Sequence, residues 1–391
     1  MTPMLVVFAK ELRESLRDRL TMINTFITGP LLAPLLFAVL INTVVTREVE
    51  KAEKPLHLPV VGAEYAPNLI AALKQSDTEI EPPPADPERA VKDQDADVVL
   101  RITPSFADAW NKGYAAQVEV IFDQSRNDSR SAAHRVQVML AGYGSRIGAM
   151  RLVARGLAPS LQQPIVVASR DQSTPQSRSG TLFAMLPYFF IIGAFMGGMA
   201  IAIDTTAGER ERQSLEPLLV NPVARWKILV GKLAATTAFG TATVLLSVLA
   251  FAVVGRFLPT ERIGMTLDIG VGFVVRTFVV MLPLAALIAA VQTLVAAFAK
   301  SFREAQTYVS LLMLLPIVPV LLLALLPYKV QMWMYAVPLV GQQVVITQLM
   351  RGDTVTDVAL LVCFACTAFA ALVACAITAR IYQSERLAIS A

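Results

Sequence analysis

Cys363 and Cys366 stand at CxxC spacing, which in a soluble protein suits disulfide exchange or metal ligation. Both fall with Cys375 in one apolar block near the C-terminus, where a thiol reads as a small packing group. No cysteine lies between 46 and 177, so no disulfide framework is available there. His57 and His134 are far apart with no Cys or acidic cluster at ligand spacing, and no metal site is expected. Gly231-Lys232 ends like a phosphate-binding loop, but Leu233 follows where Ser or Thr is required, and Trp226 takes the place of the first glycine of GxxxxGK[ST]. No catalytic residue and no bound cofactor are expected on this chain, and any nucleotide chemistry must come from a partner.

The most informative charges lie in Asp204 to Lys232, DTTAGERERQSLEPLLVNPVARWKILVGK, a stretch far too long for a turn. Thr206 and Glu209 have capping-box spacing, which predicts a helix starting near Ala207 with Glu211, Leu215, Leu218 and Leu219 on one flank. Asn221 before Pro222 suits an N-cap with proline at the first position of a second helix. A charged helix-turn-helix of this kind, continuous with membrane crossings on both sides, can carry a push into the bilayer.

The elements that must position this stretch are apolar. Of 391 residues 55% are hydrophobic and 16% charged, against roughly 45 to 50% apolar and about 25% charged in soluble domains. Met22 to Val45 holds no charge and, at about 20 residues per crossing, is long enough to span a bilayer. Five more such blocks follow near 181–203, 229–255, 271–298, 308–327 and 355–379. Residues 1–21 place Leu5, Phe8, Leu12, Leu16 and Leu20 at helical spacing among charges that include Lys10, Arg13, Arg17 and Arg19. This predicts an amphipathic helix lying flat on the cytoplasmic membrane surface, its basic side chains near the lipid headgroups. Residues 46–177 change to mixed charge, 15 Lys and Arg against 17 Asp and Glu, with short hydrophobic runs and Pro82, Pro83 and Pro84. They read as an α/β domain with strands near 58–62, 97–102, 116–122 and 164–169 and helices near 64–74, 87–93, 104–112 and 128–156. Residues 178–391 hold the other five crossings, with a re-entrant or interfacial helical hairpin at 328–353. Lys and Arg cluster at 10–19, 210–232, 300 and 303, and 380 and 386, which places both termini in the cytoplasm and residues 46–177 outside it. The net charge of +4 therefore reads as topology and not as a nucleic-acid site. The blocks lack ionisable residues at mid-membrane depth: Arg276 sits near an end, and Gln292 is one of few polar residues well inside.

Glu209-Arg210-Glu211, then Leu215-Glu216-x-Leu218-Leu219, Asn221-Pro222 and Gly231-Lys232, resembles the loop between the second and third helices of type-2 ABC exporter permeases. KELRESLRDR at 10–19, KSFREAQTYVSLLMLLP at 300–316 and YQSERL at 382–387 agree with it. In their order the chain is similar, over nearly its whole length, to the sodium-efflux permease (NatB-like) branch. Gln213-Ser214 departs from the Gly-Thr that relatives often carry. The resemblance implies a type V exporter fold in the bacterial cytoplasmic membrane, paired with a second permease copy as a homodimer. It also implies two copies of an ABC ATPase subunit that hold ATP and Mg2+. On that reading 207–220 is the coupling helix, with Glu209, Arg210, Glu211, Arg212, Leu215, Glu216, Leu218 and Leu219 at the ATPase, and the N-terminal helix is a second contact. Substrate, sodium ions or alternatively a drug, peptide or lipid, would move between the two permeases. A receptor or scaffold sensing through 46–177 would need a cytoplasmic output domain, and only 12 residues follow Ala379. A secondary transporter would need buried charges or paired broken helices.

Overall fold

A computed structural model describes residues 2–162, 165, 168, 170–214, 223–263, 269–326 and 328–383. The chain divides into two compact units, residues 1–49 with 172–391, and residues 50–171. The first unit begins with helix α1 (Pro3–Arg17), whose proline sits where the missing N–H costs nothing. Its apolar residues meet two surroundings. Met4 and Val7 press on Gly231, where an added Cβ would stand 2.8 Å from the Met4 carbonyl and from Val7 Cβ. Leu5, Val6 and Leu16 are exposed. The helix is thus seated on protein along one side, where the sequence alone suggested a surface of lipid. After Asp18 the chain re-enters helix as α2 (Arg19–Ile23), widens into a π turn at Asn24–Thr28 and continues as α3 (Gly29–Glu53). Pro30 and Pro34 each remove a backbone donor just past that turn, a recognised cause of helix distortion. Phe37, Ile41 and Val45 bury one face of α3, with the Phe37 ring 5.3 Å from Phe183 and 5.9 Å from Phe251. Leu32, Leu35, Leu36 and Val39 are exposed.

Residues 50–171 form a four-stranded mixed sheet of order β2-β1-β3-β4. The chain runs β1 (Leu56–Val61), α4 (Pro67–Lys74), β2 (Thr78–Glu81), α5 (Pro87–Lys92), β3 (Val98–Ile102), α6 (Ser105–Asn111), β4 (Val118–Phe122) and α7 (Asn127–Ala154). β1 is parallel to β2 and to β3, with Leu56 opposite Thr78 and Val60 opposite Leu100, and β4 closes the sheet antiparallel with Val120 opposite Leu100. The two central strands are the apolar ones, with Leu58, Val60, Val98, Val99 and Leu100 buried. That is the pattern of strands covered on both faces. Strand β2 adds an element that the hydrophobic runs do not predict: Thr78-Glu79-Ile80-Glu81 is short, acidic and followed by three prolines, as suits an edge. The strand expected at 164–169 falls largely outside the described residues, and 165 and 168 are not in a strand. Buried Ser129 donates to the Asp97 carbonyl at 2.5 Å and accepts from the Asp123 N–H at 2.8 Å, tying α7 to the ends of β3 and β4. Trp110 stacks on Phe106 and Tyr143, and the Arg151 guanidinium lies 4.4 Å from its ring centre.

The first unit resumes with α8 (Pro175–Leu182), α9 (Leu186–Ile203), a second π turn (Asp204–Gly208) and the single turn α10 (Glu209–Glu211). Beyond it come α11 (Arg225–Gly255), α12 (Val271–Phe298), α13 (Phe302–Leu312), α14 (Ile317–Leu325), α15 (Met332–Ala336), α16 (Val340–Arg351) and α17 (Asp357–Gln383). Among the described residues six helical segments are long and apolar enough to cross a membrane: 21–47, 186–211, 225–255, 271–298, 302–323 and 357–383. The fifth is broken at 313–316, where N–H groups from Met313 to Val318 bond three residues back ahead of and around Pro316. Gly193 and Gly197 of α9 meet α11 at close range: a Cβ at Gly197 would stand 3.0 Å from the Gly240 Cα and 2.3 Å from the Thr243 hydroxyl. The hairpin of α15 and α16 packs against α17 and α12, with Tyr335, Val344, Val345, Val280 and Cys363 in one cluster. Gly341 is pressed against the Tyr335 carbonyl and Cys363, and Gln342 donates to Thr367 at 2.9 Å.

Gly62, at φ +76° and with any added Cβ only 2.3 Å from the Ile102 carbonyl, is a position that only glycine fits. Gly62→Ala should destabilise the 50–171 unit by more than the roughly 1 kcal/mol of an ordinary Gly–Ala difference. Gly142→Ala on α7, where a Cβ meets open space, should gain up to about 1 kcal/mol of helix propensity. Limited proteolysis of the intact chain in detergent across a temperature series checks both; equal melting of the two variants would contradict the backbone argument.

Candidate coupling site

The segment 204–214 is held at one end of the helical bundle by its own side chains. At the π turn the Glu209 N–H bonds the Asp204 and Thr206 carbonyls, past its α-helical acceptor Thr205. The Thr205 carbonyl accepts instead from Lys232 Nζ, at 2.7 Å, across from α11. Four consecutive charged residues then point four ways. Glu209 pairs with Lys232 and lies 3.5 Å from Lys10 of α1. Arg210 donates to the Ala299 carbonyl at the end of α12, at 3.3 Å. Glu211 accepts from the Phe302 N–H at the start of α13, at 2.7 Å. Arg212 turns back to Asp204 at 2.9 Å.

These charges suit what they meet. The last carbonyls of a helix carry partial negative charge and its first N–H groups partial positive charge, so an arginine at the end of α12 and a carboxylate at the start of α13 are both favourable. The start of α13 is further capped within its own sequence. Ser301 Oγ accepts from the Glu304 N–H at 3.2 Å, and Glu304 accepts from the Lys300 N–H at 2.7 Å.

The Lys232 and Glu209 side chains are 0% and 7% exposed, so each must answer the other. Around them Lys10 bridges Glu11 at 3.1 Å and Glu14 at 3.2 Å. Burial works against the Lys10 charge, but Glu11, Glu14 and Glu209 together hold its ammonium above the ordinary range. Burial pushes the Glu11 carboxyl up, against the pull of Lys232 and Lys10. The site is a mixed-charge knot joining α1, α9, α11 and the α12–α13 corner.

Several expectations are corrected by this geometry. Thr206 does not open a new helix: its hydroxyl donates to the Ala202 carbonyl at 2.5 Å, and the helix of α9 runs on through Glu211. The capping box with Glu209 is not formed, because Glu209 is turned inward to Lys232. Helix α11 begins at Arg225, after a bend at Val223, and not at Pro222. Leu215, Glu216, Leu218, Leu219 and Asn221-Pro222 lie outside the described residues. Lys10 is drawn into the knot, whereas Arg13, Arg17 and Arg19 are exposed. Lys232 stood out in the sequence only as half of a Gly-Lys pair. The signal that could have found it is a lysine seven residues inside a span whose next turns carry no other charge.

Long apolar helices fastened by charges at one end make this chain a multi-pass membrane protein. It belongs to the ABC-2 family of transporter proteins, which it matches over residues 24–379. It is 28% identical over 351 residues to the ABC transporter permease protein NatB of Bacillus subtilis (strain 168), a match covering 88% of this chain and 89% of that protein. The chain is thus a NatB-like type-2 ABC permease, a subunit without an ATPase site, the ATPase being a separate subunit.

Glu209→Ala leaves the buried Lys232 ammonium unanswered and should cost about 3 to 5 kcal/mol. Arg212→Ala breaks only an exposed pair with Asp204 and should cost about 1 kcal/mol or less. Thermal unfolding of both variants in one detergent tests the ranking, and equal losses would show that the knot bears no special load.

Proposed function

We propose that the chain is the membrane subunit of an ATP-driven exporter and that the 213–224 loop receives the force of the ATPase. The observation that supports this reading is the four-way fastening of Glu209 to Arg212. Any displacement of residues 209–212 loads α1, α11, α12 and α13 together. In this arrangement Leu215, Glu216, Leu218 and Leu219 form the docking flank, while Glu209, Arg210, Glu211 and Arg212 brace the permease internally. The knotted end faces the cytoplasm of a bacterium, residues 46–177 face outward across the cytoplasmic membrane, and Arg13, Arg17 and Arg19 meet lipid headgroups. ATP and Mg2+ bind in the ATPase, present in two copies, and two permeases pair as a homodimer in a type V arrangement. The α15–α16 hairpin is re-entrant: it packs beside Val280 and Cys363, each well inside a crossing helix. Sodium ions are the substrate favoured by the resemblance to the sodium-efflux branch, with a drug, peptide or lipid as alternatives.

An engineered cysteine at Ser125 should react with an impermeant maleimide in intact spheroplasts, and labelling only after lysis would reverse the orientation. Leu215→Ala with Leu219→Ala should weaken assembly with the ATPase by more than about 1 kcal/mol, as truncated interface anchors commonly do. Membrane insertion and melting temperature should stay at wild-type values. Normal co-purification and normal ATP-dependent sodium-tracer uptake into inside-out proteoliposomes would make the segment a solvated loop.

A further inference from the structure

Lys232 and Thr243 lie on one face of α11, eleven positions or about three turns apart, and each grips a π turn of a different helix. Lys232 Nζ donates to the Thr205 carbonyl in the turn 204–208 at 2.7 Å. Thr243 Oγ1 shares its proton between the Phe239 carbonyl of its own helix at 2.9 Å and the Thr25 carbonyl in the turn 24–28 at 3.2 Å. A π turn holds one residue more than the α-helix it interrupts, and such bulges gather at functional sites. Closing the one at 204–208 into α geometry would rotate the residues beyond it by about 100° and shift them about 1.5 Å along the axis. Glu209 would leave Lys232, Arg210 would leave the Ala299 carbonyl, and Glu211 would leave the Phe302 N–H. All of these ties therefore belong to a single register of the helix.

We propose that Lys232 is a positioning residue for coupling: it holds the end of α9 in the π register, and release of that register frees α1, α11 and the α12–α13 corner together. No docking contact with the ATPase is needed from Lys232, which has no exposed surface. Its hold is double, on the Thr205 carbonyl through a hydrogen bond and on Glu209 through charge. The transport arm of the test rests on the exporter reading; the structural arm does not.

The structural arm uses the whole chain in lipid nanodiscs without any partner. Lys232→Met combined with Glu209→Gln keeps side-chain volume and leaves no unanswered charge. Hydrogen exchange should rise at least tenfold at residues 204–212 in this variant, with 56–122 and the middle of α12 unchanged. Thr243→Val should loosen 24–28 and leave 204–212 protected. Unchanged exchange at 204–212, or loosening spread evenly over α9, α11 and α12, would overturn the proposal by making Lys232 an ordinary core contact. In proteoliposomes with the ATPase, the double variant should keep the KM for ATP and the hydrolysis rate while moving several-fold less sodium tracer per ATP. Looser 204–212 with an unchanged ratio would reject the positioning role and leave the exporter reading standing. No ATP-dependent transport even by the unaltered complex would count against the exporter reading, and the exchange result would still decide the register.

Discussion

An ammonium with no exposed surface has to be neutralised where it stands, and Lys232 stands on a helix whose next turns are all uncharged. Left alone it would cost several kcal/mol, which is a large share of what holds a domain folded. The carboxylate that answers it comes from the end of α9, and it arrives there only because that helix widens by one residue. From this point the rest of the bundle's end is constrained. Successive helical residues step about 100° around the axis, so with Glu209 pointed at α11, Arg210 and Glu211 must point elsewhere. They point at a helix end, which favours a cation, and at a helix start, which favours an anion.

The same constraint explains the unusual packing below the knot. For Glu209 to reach Lys232, α9 and α11 must run close, and their contact is lined with glycine, threonine and serine. Gly193, Gly197 and Gly198 face Thr236, Gly240, Thr243 and Ser247 with almost no side chain between the backbones. The hydroxyls there return to backbone carbonyls, Thr236 to Lys232 and Thr243 to Phe239 as well as Thr25. A bilayer-embedded interface built this way gains from close packing, where a soluble one would gain from burying leucine. The stiff seam so formed is what makes a local change of register at 204–208 felt at a distance.

How much of this was legible from the residues follows from what kind of signal each feature leaves. Long uncharged runs are unmistakable, so six spans are legible and the fourth matches at both ends, but the second runs on to 211 through its charges and the fifth starts at 302 and breaks at Pro316. Alternation and apolar runs point to the strands at 56–61, 98–102 and 118–122, but in the edge strand Thr78–Glu81 the alternation is only four residues long, with Ile80 its single large apolar residue. The knot was half readable. Glu209 to Arg212 drew notice as charges, yet charge in a loop reads as solvated, and nothing local to ERER says that its partners lie at residues 10, 232, 299 and 302. The π turns leave no compositional trace that would separate them from a continuous helix, and Thr206 with Glu209 imitates a capping box that tertiary contacts override.

An internal brace and a docking surface place opposite demands on the same charged residues. A docking residue must be free to meet a partner, whereas Glu209 is committed on both oxygens, to Lys232 and to Lys10. Arg210 and Glu211 are committed to helix ends in the same way. The arrangement is that of a mechanical brace: Glu209, Arg210 and Glu211 would convert a displacement of the 204–212 segment into strain on α1, α11 and the α12–α13 corner. Because the ties of Glu209, Arg210 and Glu211 share one helical register, a change of register releases them together, which favours two discrete states over graded bending. Such bistability is what a transporter needs if a single event at the ATPase is to reorganise helices that span the whole bilayer.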